Sequence, residues 1–421
     1  MFNSKELSQF PITPYLEQIC DALKNSPSRF LILTAETAAG KSTVLPLALL
    51  QNFSGKILMT EPRRIAVLGV ANRLGELASC GEGGNPVGYK IHLESKITSD
   101  TRLEVVTEAI LVRQLQSDPA LEDYNVVVLD EFHERSVNTD LALAFLKEAM
   151  QLRDDLFVVI MSATIDTERL QKYLGEFSEV PVFSVPGRQF PVRVMYEPEK
   201  SVVGAVREAL RASREGNILV FLPGIADIRK AQEALIETGD YDADSDIELC
   251  VLHSSVSLEE QKRVIKPPRE GESAKRRVIL SSAIAETSLT VPGVTTVIDS
   301  GLARINRMDL NTGMEKLSTE VESEFSAEQR KGRAGRICEG TCIRLWDEHD
   351  PRVKELAPEI LRTDLVPVVL ECSERGVYSV DGIDWLDSPS KAAWHVFSME
   401  ADRQCLVSYS DGETMTSHQF R

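Results

Sequence analysis

The sequence predicts an α/β protein of two tandem parallel-sheet domains followed by a short α-rich segment, and three observations carry that prediction. The first is a series of short apolar runs, Phe30–Leu33, Lys56–Thr60, Leu103–Thr107, Val126–Leu129 and Phe157–Met161, each followed by a polar or glycine-containing turn and a helical pattern. Runs this short and this apolar suit strands covered on both faces, and the helices between them suit crossover connections. The second is the same alternation repeated at Asn217–Leu222, Glu248–His253, Arg277–Ser281, Thr295–Asp299 and Thr341–Leu345. The third is the stretch FSVPGRQFP, Phe183–Pro191, whose prolines and glycine read as a linker between the two series.

After Trp346 the alternation stops, although Asp347–Asp387 keeps helical segments, and the chain ends in the polar tail SDGETMTSHQFR. The expected units are therefore 1–186, 187–346 and 347–421, in keeping with 421 residues being too many for one core. At 43% hydrophobic and 27% charged the composition is that of a globular chain. A net charge of -18 argues against a surface that grips nucleic acid everywhere, yet allows a basic channel inside an acidic envelope. Seven cysteines without zinc-ligand spacing, no signal-peptide pattern and no long apolar window lead us to expect a cytoplasmic protein with reduced thiols and no membrane partner.

The first strand runs into TAETAAGKST, Thr34–Thr43. Gly40, Lys41 and Ser42 match the end of the phosphate-loop pattern, whereas Ala35 and Ala38 stand where such loops carry glycine. A helix starting near Gly40 would aim its amide N–H groups and dipole at a phosphate, with Lys41 adding charge and Ser42 a ligand for Mg²⁺. The nucleotide-binding set is then Glu36, Thr37, Ala38, Ala39, Gly40, Lys41, Ser42 and Thr43. If position 38 needs positive φ, alanine there costs about 1 kcal/mol. Downstream, VVVLDEFHERS puts Asp130 and Glu131 at the end of another apolar strand, where a parallel sheet opens onto its ligand crevice. Asp130 suits a water-mediated hold on Mg²⁺, and Glu131 suits orienting or deprotonating the attacking water beside the metal.

Asp130-Glu131-Phe132-His133 resembles motif II of the DEAH-box helicases, with phenylalanine in place of the usual alanine. TEPRRIAV from Thr60, TEAILVRQL from Thr107, Ser162-Ala163-Thr164, FLPG at Phe221–Gly224, IAETSLT at Ile284–Thr290 and QRKGRAGR at Gln329–Arg336 resemble that family's other motifs in order. DEFHERS, VIDSGLARINRMD and IRLW are most similar to the HrpB-type bacterial branch. The resemblance implies two RecA-like domains with ATP or another nucleoside triphosphate between them, Mg²⁺, and single-stranded RNA or DNA held across both. It implies that Arg333 and Arg336 are arginine fingers, that Gln329 lies near the γ-phosphate and water, and that Arg73 stacks on the base. The Gln329–Arg336 run is read as a loop-to-helix start. Ser162 and Thr164 are expected to couple the nucleotide site to the strand-binding surface, with His133 joining them. Arg63, Arg64, Thr107, Arg113, Ser288 and Thr290 are expected to hold backbone phosphates, contacts that carry no base identity.

Several positions depart from the family's pattern. Ser281-Ser282-Ala283 replaces the usual A-T-N, Pro292 stands where many relatives have an acid, Ile265 where many have an aromatic, and Glu322 and Glu324 add acidity before Gln329. ILRTDLVPVVLECSERGV resembles only the start of a winged helix, so the α-rich segment is expected to be partial and the chain short of its relatives' C-terminal domains. The expected activity is nucleic-acid-dependent hydrolysis of ATP, of helicase type. The alternative is a catalytically weak, truncated paralogue acting as a nucleic-acid or protein binding module.

Overall fold

The computed structural model describes residues 7–399 except 37, 79–84, 176–177, 188–189, 239–245, 267–274, 288, 290 and 310–313. Thr37, Ser288 and Thr290 therefore lie outside the described residues.

The first sheet contains β1 (Phe30–Ala35), β2 (Lys56–Glu61), β3 (Val87–Ile91), β4 (Glu94–Lys96), β5 (Leu103–Thr107), β6 (Tyr124–Leu129), β7 (Phe157–Ser162) and β8 (Val182–Val185), in the order β4-β3-β5-β2-β6-β7-β1-β8. All neighbours run parallel except β3 and β4. Its helices are α1 (Leu16–Asn25), α2 (Lys41–Asn52), α3 (Arg64–Ala78), α4 (Glu108–Ser117), α5 (Val137–Leu152) and α6 (Thr167–Gly175). Val126–Leu129 are buried on both faces of the sheet, which is why this segment reads as an unbroken apolar run. Phe183–Val185, read as linker, instead close the sheet as part of β8. An edge strand is covered less completely and lacks that signature, and Ser184 is exposed.

The second sheet contains β9 (Val192–Tyr196), β10 (Asn217–Phe221), β11 (Ile247–Leu252), β12 (Arg276–Ser281), β13 (Val294–Asp299) and β16 (Gly340–Arg344), in the all-parallel order β11-β12-β10-β13-β16-β9. Helices α7 (Val202–Ala212), α8 (Ile225–Ile236), α9 (Leu258–Ile265) and α10 (Glu324–Gly332) accompany it. Between β13 and β16 an antiparallel hairpin, β14 (Leu302–Asp309) with β15 (Met314–Val321), leaves the sheet. Its alternating polar residues gave no strand signal.

After β16 the described residues form short helical elements, Glu359–Leu361, α11 (Val366–Glu374), Val380–Gly382 and a helix over 391–399. Val366, Val369, Trp385, Trp394 and Phe397 share one buried core with Phe132, Leu141, Phe145 and Leu170 of the first sheet's helical layer. Ion pairs Arg375–Glu148 (2.9 Å) and Lys147–Asp384 rim that contact. Two RecA-like parallel-sheet domains and an α-rich C-terminal part are thus the architecture. Among the described residues no helix is long and apolar enough to cross a membrane.

Candidate nucleotide site and inter-domain cleft

The site gathers where strands of the first sheet end. β1 leads into residues 36–40, and α2 begins at Lys41 with Gly40 as its N-terminal flank at φ 92°. Only glycine reaches that conformation cheaply, and a Cβ here would also meet Phe10 at 2.9 Å. Ala35 lies within β1 and is buried, so the missing first glycine has no conformational consequence. Ala38 is different, because its φ is 66°. The Ala39 N–H donates to the Glu36 carbonyl (3.3 Å), placing Ala38 third in a tight turn where positive φ normally selects glycine or asparagine. Glu36 and Ala38 are exposed, Ala39 and Gly40 buried, and Ser42 and Thr43 half-buried in the first turn of α2.

Lys41 is buried and bonds Asp130 Oδ1 at 2.9 Å and Glu131 Oε1 at 2.7 Å. Burial disfavours its ammonium, but the two carboxylates more than offset this and hold its pKa above the ordinary value. Burial pushes the Glu131 pKa up while Lys41, His133 and Arg333 pull it down, and the net result is a depressed, ionised carboxylate. The Glu131 backbone is left-handed at φ 50°. Asp130 Oδ1 also accepts the Glu131 N–H at 2.7 Å, while its buried Oδ2 has no hydrogen-bond partner. Glu61, at the end of the neighbouring β2, completes the pocket. Burial and the Asp130 and Glu131 charges raise its pKa well above the carboxylate range, making it the uncharged acid of the group. The motif TEPRR contained Glu61, but nothing local shows that it ends beside Asp130.

His133 lies beside this centre. Its Nδ1 lies 3.3 Å from Ser162 Oγ and 3.4 Å from Glu131 Oε2, and Ser162 Oγ donates to the Thr164 carbonyl at 2.7 Å. Thr164 therefore enters through its backbone rather than its hydroxyl. The imidazole also meets Phe325 of the second domain edge-on, with ring centroids 5.4 Å apart.

Opposite stand the arginines of the second domain. Gln329–Arg336 spans the last turn of α10 and the turn that follows it, not a helix start. Basic residues there complement the helix dipole, and Arg333 is the capping residue. Gln329 is half-buried one turn before it. Arg333 donates to the carbonyls of Glu286, Thr287 and Leu289, the last at 2.7 Å, and Arg336 to that of Leu289 at 3.4 Å. Burial lowers both guanidinium pKa values, that of Arg336 to about 10, and for both the charge of Glu131 opposes the shift. The acidity before Gln329 also acquires a reason. Glu324 sits in the first turn of α10, and buried Glu322 lies 2.5 Å from Arg330, which also pairs with Asp299 (2.8 Å) and Glu286 (3.1 Å). Burial outweighs the pull of Arg330, and Asp299 adds repulsion, so the Glu322 pKa rises to about 9.

The expected strand-binding residues do not all meet. Arg63 Nη1 donates to the Ala283 carbonyl at 2.7 Å, and its Nη2 lies 3.3 Å from Glu134, which in turn accepts from the Thr287 hydroxyl. Arg63 and Glu134 thus tie the two domains together. Beside this clasp, Arg63, Arg64, Ser254, Gln261 and Ser282 line a cleft of about 480 Å³. Arg113 is exposed on α4, and Thr107 precedes that helix. Arg73 is half-exposed and pairs with Glu76 at 3.3 Å, and Ile265 packs against the second domain's core.

Comparison with known proteins fits this geometry. Residues 13–173 match the family model described as DEAD/DEAH box helicase, and residues 201–338 match the Helicase conserved C-terminal domain. The chain is similar to the ATP-dependent RNA helicase HrpB of Escherichia coli K12, with 41% identity over 91% of this chain and 47% of that protein. It is also similar to the ATP-dependent RNA helicase HrpA of the same organism, with 36% identity over 90% and 29%. The crystal structure of Escherichia coli DEAH/RHA helicase HrpB superposes with a TM-score of 0.82 at 39% identity, covering 93% of this chain and 50% of that one. The chain thus spans half or less of the length of these relatives. With both helicase domains matched in order and the motif II acids meeting the phosphate-loop lysine, the chain belongs to the DEAD/DEAH-box helicase family, its two RecA-like domains being of the HrpB type.

Proposed function

We propose that the chain is a nucleic-acid-dependent nucleoside triphosphatase of the DEAH-box helicase type, hydrolysing ATP or another nucleoside triphosphate between its two domains while holding a single strand. One observation carries the reading: Lys41, Asp130 and Glu131 meet at the strand ends, with Arg333 and Arg336 of the other domain near enough for their charge to act on Glu131. In this reading residues 36–43 take the phosphates, Arg73 flanks the base, and Lys41 leaves its carboxylate partners for the β- and γ-phosphates. Mg²⁺ fits the donor set, since Asp130 Oδ2 is buried without a partner and Asp130, Glu131 and Ser42 supply oxygens. When bound, it neutralises charge on the transferring phosphoryl group. Among the described residues no three ligating side chains are arranged for a metal on their own, so phosphate oxygens would complete its shell.

Glu131, its carboxylate oriented through His133, takes the proton of the attacking water. Gln329 holds that water, while Arg333 and Arg336 stabilise the charge on the γ-phosphate once they exchange carbonyl partners for phosphate. Ser162, Thr164 and His133 link this centre to the strand path of Arg63, Arg64, Thr107, Arg113, Ser288 and Thr290. RNA is the favoured strand because the similar proteins are named RNA helicases. A division at 186/187 and 346/347 and a cytoplasmic location belong to the same reading.

The test is phosphate release by the purified chain, with and without single-stranded RNA or DNA, alongside Glu131→Gln. Stimulated release, lowered at least a hundredfold by the substitution, is expected. Tight strand binding with no release under any condition would instead identify the chain as a binding module.

A further inference from the structure

The turn that carries Glu131 is gripped from the C-terminal segment. Glu131 (φ 50°) and Arg135 (φ 46°) are both left-handed. Between them the single helical turn Phe132–Glu134 is closed by Glu134 N–H to the Glu131 carbonyl (2.9 Å) and Arg135 N–H to the Phe132 carbonyl (3.2 Å). Non-glycine residues persist in that conformation only where their surroundings over-determine it.

At Arg135 much of the surroundings comes from residues 359–387. Its Nη2 pairs with Asp387 Oδ2 at 2.7 Å, and Asp387 is itself held by Arg169. The Arg135 carbonyl accepts the Glu359 backbone N–H at 3.1 Å, and Glu359 Oε2 accepts the Val137 N–H, the first of α5, at 3.3 Å. From its own side, Asp140 takes Arg135 Nε at 2.7 Å, and the guanidinium lies 5.6 Å from the centre of the Phe132 ring. Phe132, where the motif usually has alanine, is fully buried in the core shared with the C-terminal segment.

Resting on the reading of the chain as a triphosphatase, we propose that Asp387 and Glu359 are positioning residues for Glu131. By holding Arg135 in its left-handed conformation they set the far end of the turn, and through two backbone hydrogen bonds they set the direction of the Glu131 carboxylate and the His133 ring. Neither residue touches the reacting atoms. Any movement of residues 359–387 against α5 reaches the hydrolytic centre through Arg135.

The test compares Asp387→Asn with Asp384→Asn, because Asp384 docks the same segment onto α5 through Lys147 without reaching the turn. The readouts are kcat, KM for ATP, Tm and hydrogen exchange across residues 130–137. Asp387→Asn is expected to lower kcat about tenfold with KM within about twofold, and to quicken exchange in the turn, with partial recovery in Asp387→Glu. Asp384→Asn is expected to move Tm only. If Asp387→Asn does not fold, Glu359→Ala, which removes the side-chain acceptor of the Val137 N–H, is read for the same split. Equal kcat and equal exchange in the two variants would overturn the proposal. A wild-type chain that releases no phosphate overturns the triphosphatase reading alone, since exchange in the turn still decides whether Asp387 holds it.

Discussion

Ala38→Gly tests whether the phosphate loop works under strain. Ala38 has φ 66°, and the turn it occupies is fastened by Ala39 N–H to the Glu36 carbonyl (3.3 Å) and by Ile12 N–H to the Ala39 carbonyl (3.1 Å). An L-residue with a Cβ pays about 1–2 kcal/mol in the left-handed region, and glycine pays almost none. Where the free loop escapes that cost by leaving the left-handed state, alanine depletes the binding-competent loop. Relieving about 1 kcal/mol should then tighten nucleotide binding by about fivefold. Where the two hydrogen bonds hold the loop in place, the relief appears as stability, reduced by glycine's larger entropy in the unfolded chain. Calorimetric titration with a non-hydrolysable ATP analogue, alongside thermal unfolding of both proteins, separates the two cases. Tighter binding or a raised Tm is expected. Binding and Tm both unchanged, or both worse, would refute the idea that alanine strains this loop.

Arg63→Ala removes the donor to Ala283 and one partner of Glu134, so small-angle scattering should show a more open pair of domains. The same variant should lower the salt dependence of single-strand binding by about one phosphate contact, and an unaltered slope would mean that Arg63 serves the clasp alone. Lys41→Ala leaves Asp130 and Glu131 buried without their cation, and denaturant unfolding should report a loss of about 3–5 kcal/mol. Burial raises the Glu108 carboxyl pKa to about 7 from its ordinary 4.5, although Ser136 and Thr139 donate to it. The folded chain then keeps a proton that the unfolded chain releases, so stability falls as pH rises between those values, by about 3 kcal/mol in all. Glu108→Gln should flatten that fall in unfolding midpoints measured from pH 5 to 8.

The two parallel sheets are legible in the residues alone, because strands covered on both faces must be apolar throughout, as in Val126–Leu129. The residues for the chemistry proposed at their ends are legible there too, since a phosphate loop, an acid pair and an arginine cluster each need particular residue types at fixed local spacing. Two edge strands and a hairpin are not legible in this way, although the edge strand β11 is. β8 and β9 border solvent, and the hairpin β14–β15 alternates polar residues, so none carries the apolar run that burial enforces. Tertiary structure alone decided which charges meet. Lys41 and Asp130 are 89 residues apart and Arg135 and Asp387 are 252 apart, and no local pattern encodes such a pairing. The same long-range closure spends Arg63 on a carbonyl of the second domain, brings Glu61 uncharged against Asp130, and seats the C-terminal segment under the turn of Glu131. Local sequence selects groups that can do the chemistry, whereas their partners, their desolvation and so their charge states come from the packing of distant segments.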